Sequence, residues 1–171
     1  MMSGKERIMK RILAKCFILA VVLFMGACAG CDAIEVGQAA PEFSLNDPDG
    51  KTVSLSEFQG KVIILDFFAS WCPPCREEIP DFIALQSQYG SQGFTMIGVS
   101  LVTAQETKDF AAKTGINYPL VIDDGKVSNA YGPIRSIPTT FVIDKNMNIV
   151  KMYIGYRPKE EFENQIKELL K

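Results

Sequence analysis

The sequence contains no histidine. Imidazole is the side chain that most often transfers protons near neutral pH, and it is also a frequent ligand of zinc. The absence of histidine therefore excludes histidine-based acid–base catalysis and most metal sites that are built on imidazole. Of the features that the sequence lacks, histidine is the one whose absence excludes the most kinds of catalytic and metal-binding site.

Basic charge is scarce outside the N-terminal segment. Of the 18 basic and 20 acidic residues, five basic and one acidic lie in residues 1–27, which leaves 13 and 19 for the rest. Because no basic patch remains there, we expect no nucleic-acid partner. The 171 residues also lack internal repeats and low-complexity tracts, so we expect one folded domain and a monomer.

Long hydrophobic runs are missing as well. The apolar stretch Cys16–Met25 is too short for a comfortable membrane span. It follows a cluster of basic residues and precedes the small residues Gly26 and Ala27, which is the pattern of a signal peptide. The basic residues are Lys5, Arg7, Lys10, Arg11 and Lys15. We therefore predict a leader over residues 1–31, a tether over 32–40 and a folded domain over 41–171.

The leader offers two candidates for lipidation. Met25–Cys28 resembles the bacterial lipobox, in which the cysteine becomes the lipidated first residue, and Cys31 is a second candidate acceptor. A cleaved soluble form and an uncleaved N-terminal anchor remain alternatives. In each case the domain is exported into a compartment where disulfides form. We predict the cell envelope, with the domain on the periplasmic or extracytoplasmic face of a membrane.

Hydrophobic periodicity predicts a mixed α/β domain. Strands are predicted at 42–46, 52–55, 61–69, 94–101, 118–122, 139–143 and 149–154. Helices are predicted to begin near Ser56, Cys72, Thr103, Lys126 and Pro158. The order of these elements implies parallel βαβ units with an antiparallel hairpin at one edge, and a further hairpin at the N-terminus. We therefore expect a mixed central sheet between two layers of helices.

Two cysteines three residues apart stand where the third strand gives way to a helix. Such a pair either binds a metal or forms and breaks a disulfide. The sulfur of Cys72 would face unpaired N–H groups and the positive end of the helix dipole, which favour the thiolate that attacks disulfides. We predict Cys72 as the nucleophile and Cys75 as the thiol that resolves the mixed disulfide. A disulfide that closes so small a loop constrains the unfolded chain little, which argues against a purely structural role.

Two carboxylates are placed to take the proton of Cys75. Asp66 lies six residues before Cys72 inside an apolar strand, where burial should raise its pKa toward that of a thiol. Glu78 lies three residues after Cys75 on the same side of the helix. Alternatively, Asp66 is a buried polar group satisfied by main-chain atoms, and Glu78 is a solvated helix residue. If Pro138 is cis, it would expose a main-chain edge beside Cys72.

Several motifs together resemble a known family. They are Trp71–Arg76 with Asp66–Ser70 before it and Glu78–Pro80 after it, Ala40–Phe43, Asp49–Lys51, Phe58–Lys61 and Ile137–Asp144. They resemble the thioredoxin superfamily and, more narrowly, its extracytoplasmic TlpA/ResA-like thiol–disulfide oxidoreductases. The resemblance covers Val36–Lys171. It implies a thioredoxin-like three-layer α/β/α fold with an N-terminal hairpin and a central helix–strand insert between Thr103 and Ile122.

The resemblance also implies roles for single residues. Cys72 and Cys75 would form the redox-active disulfide with no other cofactor and no metal, Pro138 would be the cis-proline, and Glu78 would be the active-site glutamate. The residues implied to contact the substrate are Trp71, Pro73, Pro74, Ile137 and Pro138. Asp66 is a departure, because TlpA-like chains commonly carry Asn there and thioredoxin itself carries the buried Asp.

Members of this family typically reduce disulfides in exported proteins, often in the CxxCH haem-binding motifs of apocytochrome c. A membrane thiol carrier of the DsbD or CcdA type supplies their electrons. The resemblance therefore implies a disulfide-containing exported protein as substrate, such a carrier as electron donor, and a membrane reached through the lipid anchor.

Two alternatives use the same cysteines. A thiol peroxidase on a related fold would place Thr three residues before the reactive cysteine, but that position is Ala69. A Cu(I) or Zn chaperone would use Cys72 and Cys75 with soft ligands from Met96, Met147 or Met152. The direction of electron flow is open from the residues themselves, and the resemblance implies a reductase.

Overall fold

The computed structural model describes residues 34–171. The predicted leader, with Cys28 and Cys31, lies outside the described residues. Within the segment predicted as a tether, the Gly37 N–H donates to the Ile149 carbonyl at 2.7 Å, and the Ala40 N–H donates to the Met147 carbonyl at 2.8 Å. From Gly37 onward the chain is therefore attached to the C-terminal hairpin of the domain.

The N-terminal hairpin forms as predicted. β1 (Ser44–Asn46) pairs antiparallel with β2 (Thr52–Ser54). The turn is closed by the Asp47 carboxylate, which accepts hydrogen bonds from two main-chain N–H groups, those of Asp49 and Lys51, at 2.9 Å each. Local side-chain-to-backbone bonds of this kind are what Asp contributes to turns.

A short 3-10 helix over Leu55–Phe58 follows the hairpin. The prediction that Ser56 caps this turn is wrong, since the N-cap residue is Ser54, two residues earlier. The main-chain N–H of Ser54 donates to the Glu57 carboxylate at 2.8 Å, and the Ser56 N–H donates instead to Glu42 at 2.8 Å. The Glu three residues after Ser54 is a capping signal that fits this earlier start.

Five strands make the central sheet. They are β3 (Val62–Phe68), β4 (Phe94–Ser100), β5 (Leu120–Ile122), β6 (Thr139–Ile143) and β7 (Ile149–Ile154). Across the sheet the order is β5-β4-β3-β6-β7, with β3, β4 and β5 parallel and β6 and β7 antiparallel to their neighbours. Every residue of β3 and β4 is buried. Strands covered on both faces need near-continuous apolar sequence, which is the pattern that predicted them.

Helices cover both faces, as predicted. They are α1 (Pro73–Tyr89), α2 (Ala104–Thr114), α3 (Lys126–Ala130) and α4 (Lys159–Leu170). On one face α1 packs beside α4, where the rings of Phe82 and Phe162 have centroids 5.2 Å apart. On the other face α3 and the N-terminal hairpin contribute Val127 and Leu45 to the apolar cluster around Phe67. The fold is the expected three-layer α/β/α arrangement.

The bounds of α2 follow the predicted capping signals. The hydroxyl of Thr103 accepts a hydrogen bond from the Glu106 N–H at 3.3 Å. At the other end Gly115 has φ of 73°, a left-handed conformation that favours glycine. Among residues 34–171, none of the helices combines the length and hydrophobicity needed to cross a bilayer.

Candidate active site

The loop between β3 and α1 carries the two cysteines. Cys72 caps the N-terminus of α1, and its sulfur accepts a hydrogen bond from the Cys75 main-chain N–H at 3.3 Å. The two cysteines form a disulfide, with Cα atoms 5.3 Å apart, and both residues are buried. When the disulfide is reduced, the same N–H group and the helix dipole would stabilise a thiolate on Cys72.

The residues expected to contact a substrate surround Cys72. Pro73 and Pro74 are the first two residues of α1, where the N–H groups have no intrahelical partners, so proline costs no hydrogen bond. Trp71 is 67% exposed. Across the site, the main-chain oxygen of Ile137 lies 3.7 Å from the Cys72 sulfur, and the Ile137–Pro138 peptide bond is cis.

Asp66 lies in the middle of β3, on the face that carries α1. In the sheet it stands between Gly98 of β4 and Thr140 of β6. The Thr140 hydroxyl donates a hydrogen bond to Oδ1 of Asp66 at 2.9 Å. Burial raises the pKa of Asp66 to about 7, although the Thr140 hydrogen bond opposes the shift. The carboxyl therefore titrates near neutral pH.

Glu78 lies in α1, one turn after Cys75, and is buried. Its Oε1 accepts a hydrogen bond from the Arg157 main-chain N–H at 2.6 Å. Its Oε2 is buried and has no hydrogen-bond partner in the described structure. Burial and, secondly, the negative charge of Asp66 raise the pKa of Glu78 to about 8, against the opposing effect of the Arg157 N–H. Glu78 is thus a buried group with one oxygen that makes no hydrogen bond, rather than a solvated helix residue.

Two hydrogen-bond partners of these carboxyls, Thr140 and the main-chain N–H of Arg157, were not predicted from the sequence. The position of Tyr118 within reach of their charges was not predicted either. Tyr118 is buried, and its pKa is raised by burial and by the negative charges of Asp66 and Glu78. The sequence contains only an indirect signal for Thr140. A buried Asp in an apolar strand needs a hydrogen-bond donor, but the sequence does not show which residue supplies it.

Two observations bear on the alternative uses of the cysteines. Ala69 is buried, and its main-chain carbonyl accepts a hydrogen bond from the Cys72 N–H at 3.1 Å. Because alanine has no hydroxyl, this position cannot supply the threonine hydroxyl that a thiol peroxidase would place there. Within residues 34–171, no group of three or more His, Cys, Asp or Glu side chains is arranged to hold a metal ion.

Comparisons with known proteins agree with this geometry. The model of the AhpC/TSA family matches residues 36–152. The thiol-disulfide oxidoreductase ResA of Bacillus thuringiensis (strain Al Hakam) is 32% identical over 96% of this chain and 98% of its own length. ResA of Bacillus subtilis (strain 168) is 32% identical over 90% of this chain and 88% of its own length.

A solved structure shows the same fold. It is a thiol:disulfide interchange protein of the thioredoxin family from Chlorobium tepidum TLS, with a TM-score of 0.74 and 35% identity, and it covers 82% of this chain and 100% of its own. The redox pair at the start of α1 and these similarities lead to one assignment. The chain belongs to the AhpC/TSA family, within the thioredoxin superfamily, and is a ResA-like thiol–disulfide oxidoreductase.

Proposed function

We propose that this enzyme reduces disulfides in exported proteins, with Cys72 as nucleophile and Cys75 as resolving thiol. The observation that carries the proposal is the position of the Cys72 sulfur at the N-terminus of α1. It accepts the Cys75 N–H at 3.3 Å and lies beside the Ile137 carbonyl. A thiolate there is stabilised by the helix N-terminus, whereas Cys75 lies inside the first turn of α1.

The reaction proceeds through two exchanges. The Cys72 thiolate attacks one sulfur of the substrate disulfide, a Cys72–substrate bond forms, and the other substrate sulfur leaves as a thiolate that takes a proton from water. Cys75 then loses its proton and attacks the Cys72 sulfur. The Cys72–substrate bond breaks, and the second substrate thiolate is released. Two electrons pass to the substrate, and the enzyme is left with the Cys72–Cys75 disulfide.

Asp66 and Glu78 are the proposed acceptors of the Cys75 proton. A general base works best when its pKa lies near the working pH, and these carboxyls have pKa values of about 7 and about 8. The unpartnered Oε2 of Glu78 supports its part in this step, because it can take a proton without giving up a hydrogen bond. An exposed carboxylate, with a pKa of about 4, would be a weaker base for a thiol.

Each cycle needs two electrons from a second dithiol. We propose a membrane thiol carrier of the DsbD or CcdA type as the donor, and the CxxCH disulfides of apocytochrome c as an example of the substrate. The motif resemblance supports both assignments.

The direction of electron flow is tested by the reduction potential of the Cys72–Cys75 pair. A reductase requires a dithiol that gives up its electrons readily, so we expect a potential well below about −200 mV. The potential is measured by equilibrating the protein with glutathione or dithiothreitol buffers and quantifying the free thiols of Cys72 and Cys75. A value near about −120 mV, typical of a strong oxidant, would contradict the reductase proposal.

We further propose that the domain is held on the extracytoplasmic face of a membrane by lipid on Cys28 or Cys31. The basic and apolar pattern of residues 1–27 supports export. Cys28→Ser and Cys31→Ser, made separately in the full chain, should show which residue is needed, because only loss of the true acceptor should release the protein from the membrane fraction. Retention of both single variants and of the double variant on the membrane would favour an uncleaved anchor instead.

A further inference from the structure

Beside the disulfide lies a groove that the two exchange steps do not use. Its volume is about 610 Å³, and one wall is Trp71, the residue before Cys72. The remaining walls come from the segment between β4 and α2, from α2 itself and from the end of β5. They include the apolar residues Leu101, Val102 and Ile122 and the acidic residues Glu106 and Asp123.

The apolar part of the groove includes the indole of Trp71, the only tryptophan of the chain. Its exposure of 67% is high for a side chain whose burial would stabilise the fold. A large exposed aromatic ring next to a reactive cysteine is typical of a surface that contacts a substrate, and it does not contribute to the core. Whatever occupies the groove therefore lies within a few residues of the bond that Cys72 attacks.

The charged part of the groove is entirely acidic. Oε2 of Glu106 accepts the N–H and the hydroxyl of Thr103, and Oδ1 of Asp123 accepts the Ser128 N–H at 3.1 Å. No hydrogen bond within residues 34–171 engages the second oxygen of either carboxylate, and none of the described residues that line the groove is Lys or Arg. Two carboxylates held from one side thus face the groove with their other oxygens available.

We infer that this groove binds a lysine or arginine side chain of the polypeptide substrate, close to the cysteine that Cys72 attacks. A cationic side chain is attracted both by the face of the indole and by the two carboxylates. An acidic side chain would be repelled by the carboxylates, and an apolar side chain would make no ion pair with them. Because the groove is lined by Trp71, the residue before Cys72, the basic residue would lie within a few positions of the substrate cysteine. This inference rests on the proposed function, because it takes the substrate to be a protein.

The test uses short single-cysteine peptides whose cysteine is joined to thionitrobenzoate. Cys72 attacks the peptide sulfur and releases the coloured thiolate, which reports the rate. Matched peptides carry Lys, Gln or Glu at the second residue before or after the cysteine. We expect the Lys peptide to react about fivefold faster than the Gln peptide in kcat/KM on at least one side, and the Glu peptide to react more slowly than Gln. High salt should reduce the difference.

A double variant tests whether the groove causes the preference. Glu106→Gln with Asp123→Asn retains amide oxygens that can accept the Thr103 and Ser128 hydrogen bonds, so the loop structure should persist. We expect the ratio of the Lys rate to the Gln rate to fall to about one. Asp109→Asn removes one negative charge from α2 at a residue that does not line the groove, and it should leave the ratio as in the wild type.

Two outcomes would overturn the inference. One is equal reaction of the three peptides with the wild-type enzyme, and the other is a Lys preference that the double variant retains. In both cases the proposed reduction through Cys72 would stand. Failure of Cys72 to react with any of the peptides would instead count against the proposed function itself.

Discussion

Cys75→Ser is expected to stop the enzyme after its first attack, with the substrate held on Cys72 through a mixed disulfide. Cys72 keeps its place at the N-terminus of α1, so its thiolate still forms and attacks. A serine hydroxyl cannot attack the Cys72–substrate bond, and no other cysteine exists between Cys72 and the C-terminus. Turnover should therefore fall to the rate of uncatalysed exchange, and one substrate chain should accumulate per enzyme.

Mass spectrometry under non-reducing conditions measures the adduct, and a mild reductant should release the substrate from it. Cys72→Ser is the matched variant, since it changes the other cysteine in the same way. It should neither turn over nor trap a substrate, because the remaining Cys75 lies inside the first turn of α1 and not at the N-cap position that stabilises the Cys72 thiolate. An adduct on Cys75 in the Cys72→Ser variant would reverse the proposed roles. Normal turnover by Cys75→Ser would refute the exchange mechanism.

Elements with a strong one-dimensional signal were predictable from the sequence. β3 and β4 are buried on both faces, and this requirement appears in the chain as runs of consecutive apolar residues. The start of α2 was predicted from the Thr103 and Glu106 capping pair, and β6 and β7 were predicted as two strands joined by the turn at Asp144–Asn148. In each case the signal lies in residues that are close in sequence, even though the burial of β3 and β4 comes from elements that are distant in the chain.

Contacts between distant parts of the chain could not be predicted in the same way. Thr140 and Asp66 are 74 residues apart, and they meet only because β6 pairs with β3 in one register. Arg157 and Glu78 are 79 residues apart, and the contact uses a main-chain N–H that every residue except proline possesses. The sequence therefore indicates that Asp66 needs a partner, but only the fold identifies the partner.

The same fold places two ionisable carboxyls in an apolar interior. Asp66 accepts its hydrogen bond from a neutral hydroxyl, and Glu78 accepts its own from a main-chain N–H. Neither compensates fully for the loss of water around a charge, which is why both pKa values are raised. Such an arrangement lowers stability at neutral pH, and the raised pKa values suit the role of base that we propose for the two carboxyls.

Asp66→Asn is accordingly expected to make the oxidised protein more stable and to slow the release of the second substrate thiolate. The pKa of Asp66 is 3.8 in the unfolded chain and about 7 in the folded protein. Between these values the unfolded state loses the proton first, so the free energy of unfolding falls as pH rises from about 4 to about 7. The Asn side chain does not titrate, so this decrease in the free energy of unfolding is absent from the variant. The variant should equal the wild type below about pH 4 and exceed it above about pH 7 by at most about 4 kcal/mol, less the cost of pairing its amide group.

Denaturant unfolding at a series of pH values measures the stability difference, and rapid-mixing kinetics measures the release of the second substrate thiolate. That release should slow about tenfold in Asp66→Asn, and about a hundredfold or more when Glu78→Gln is added, since both proposed bases are then lost. Thr140→Val keeps the Asp66 carboxyl but removes the hydrogen bond that favours its charged form. It should raise the pKa of Asp66 and move the rise of the release rate to higher pH.

These variants distinguish two roles of Asp66: a base in the reaction, and a buried polar group that takes no part in it. If Asp66→Asn stabilises the protein but leaves the release rate and its pH dependence unchanged, Asp66 is only a costly core residue, and Glu78 alone would remain as the base. If the release rate falls in Asp66→Asn and its pH dependence shifts upward in Thr140→Val, both effects trace to one titrating carboxyl. The burial that destabilises Asp66 would then also be what makes it able to deprotonate Cys75.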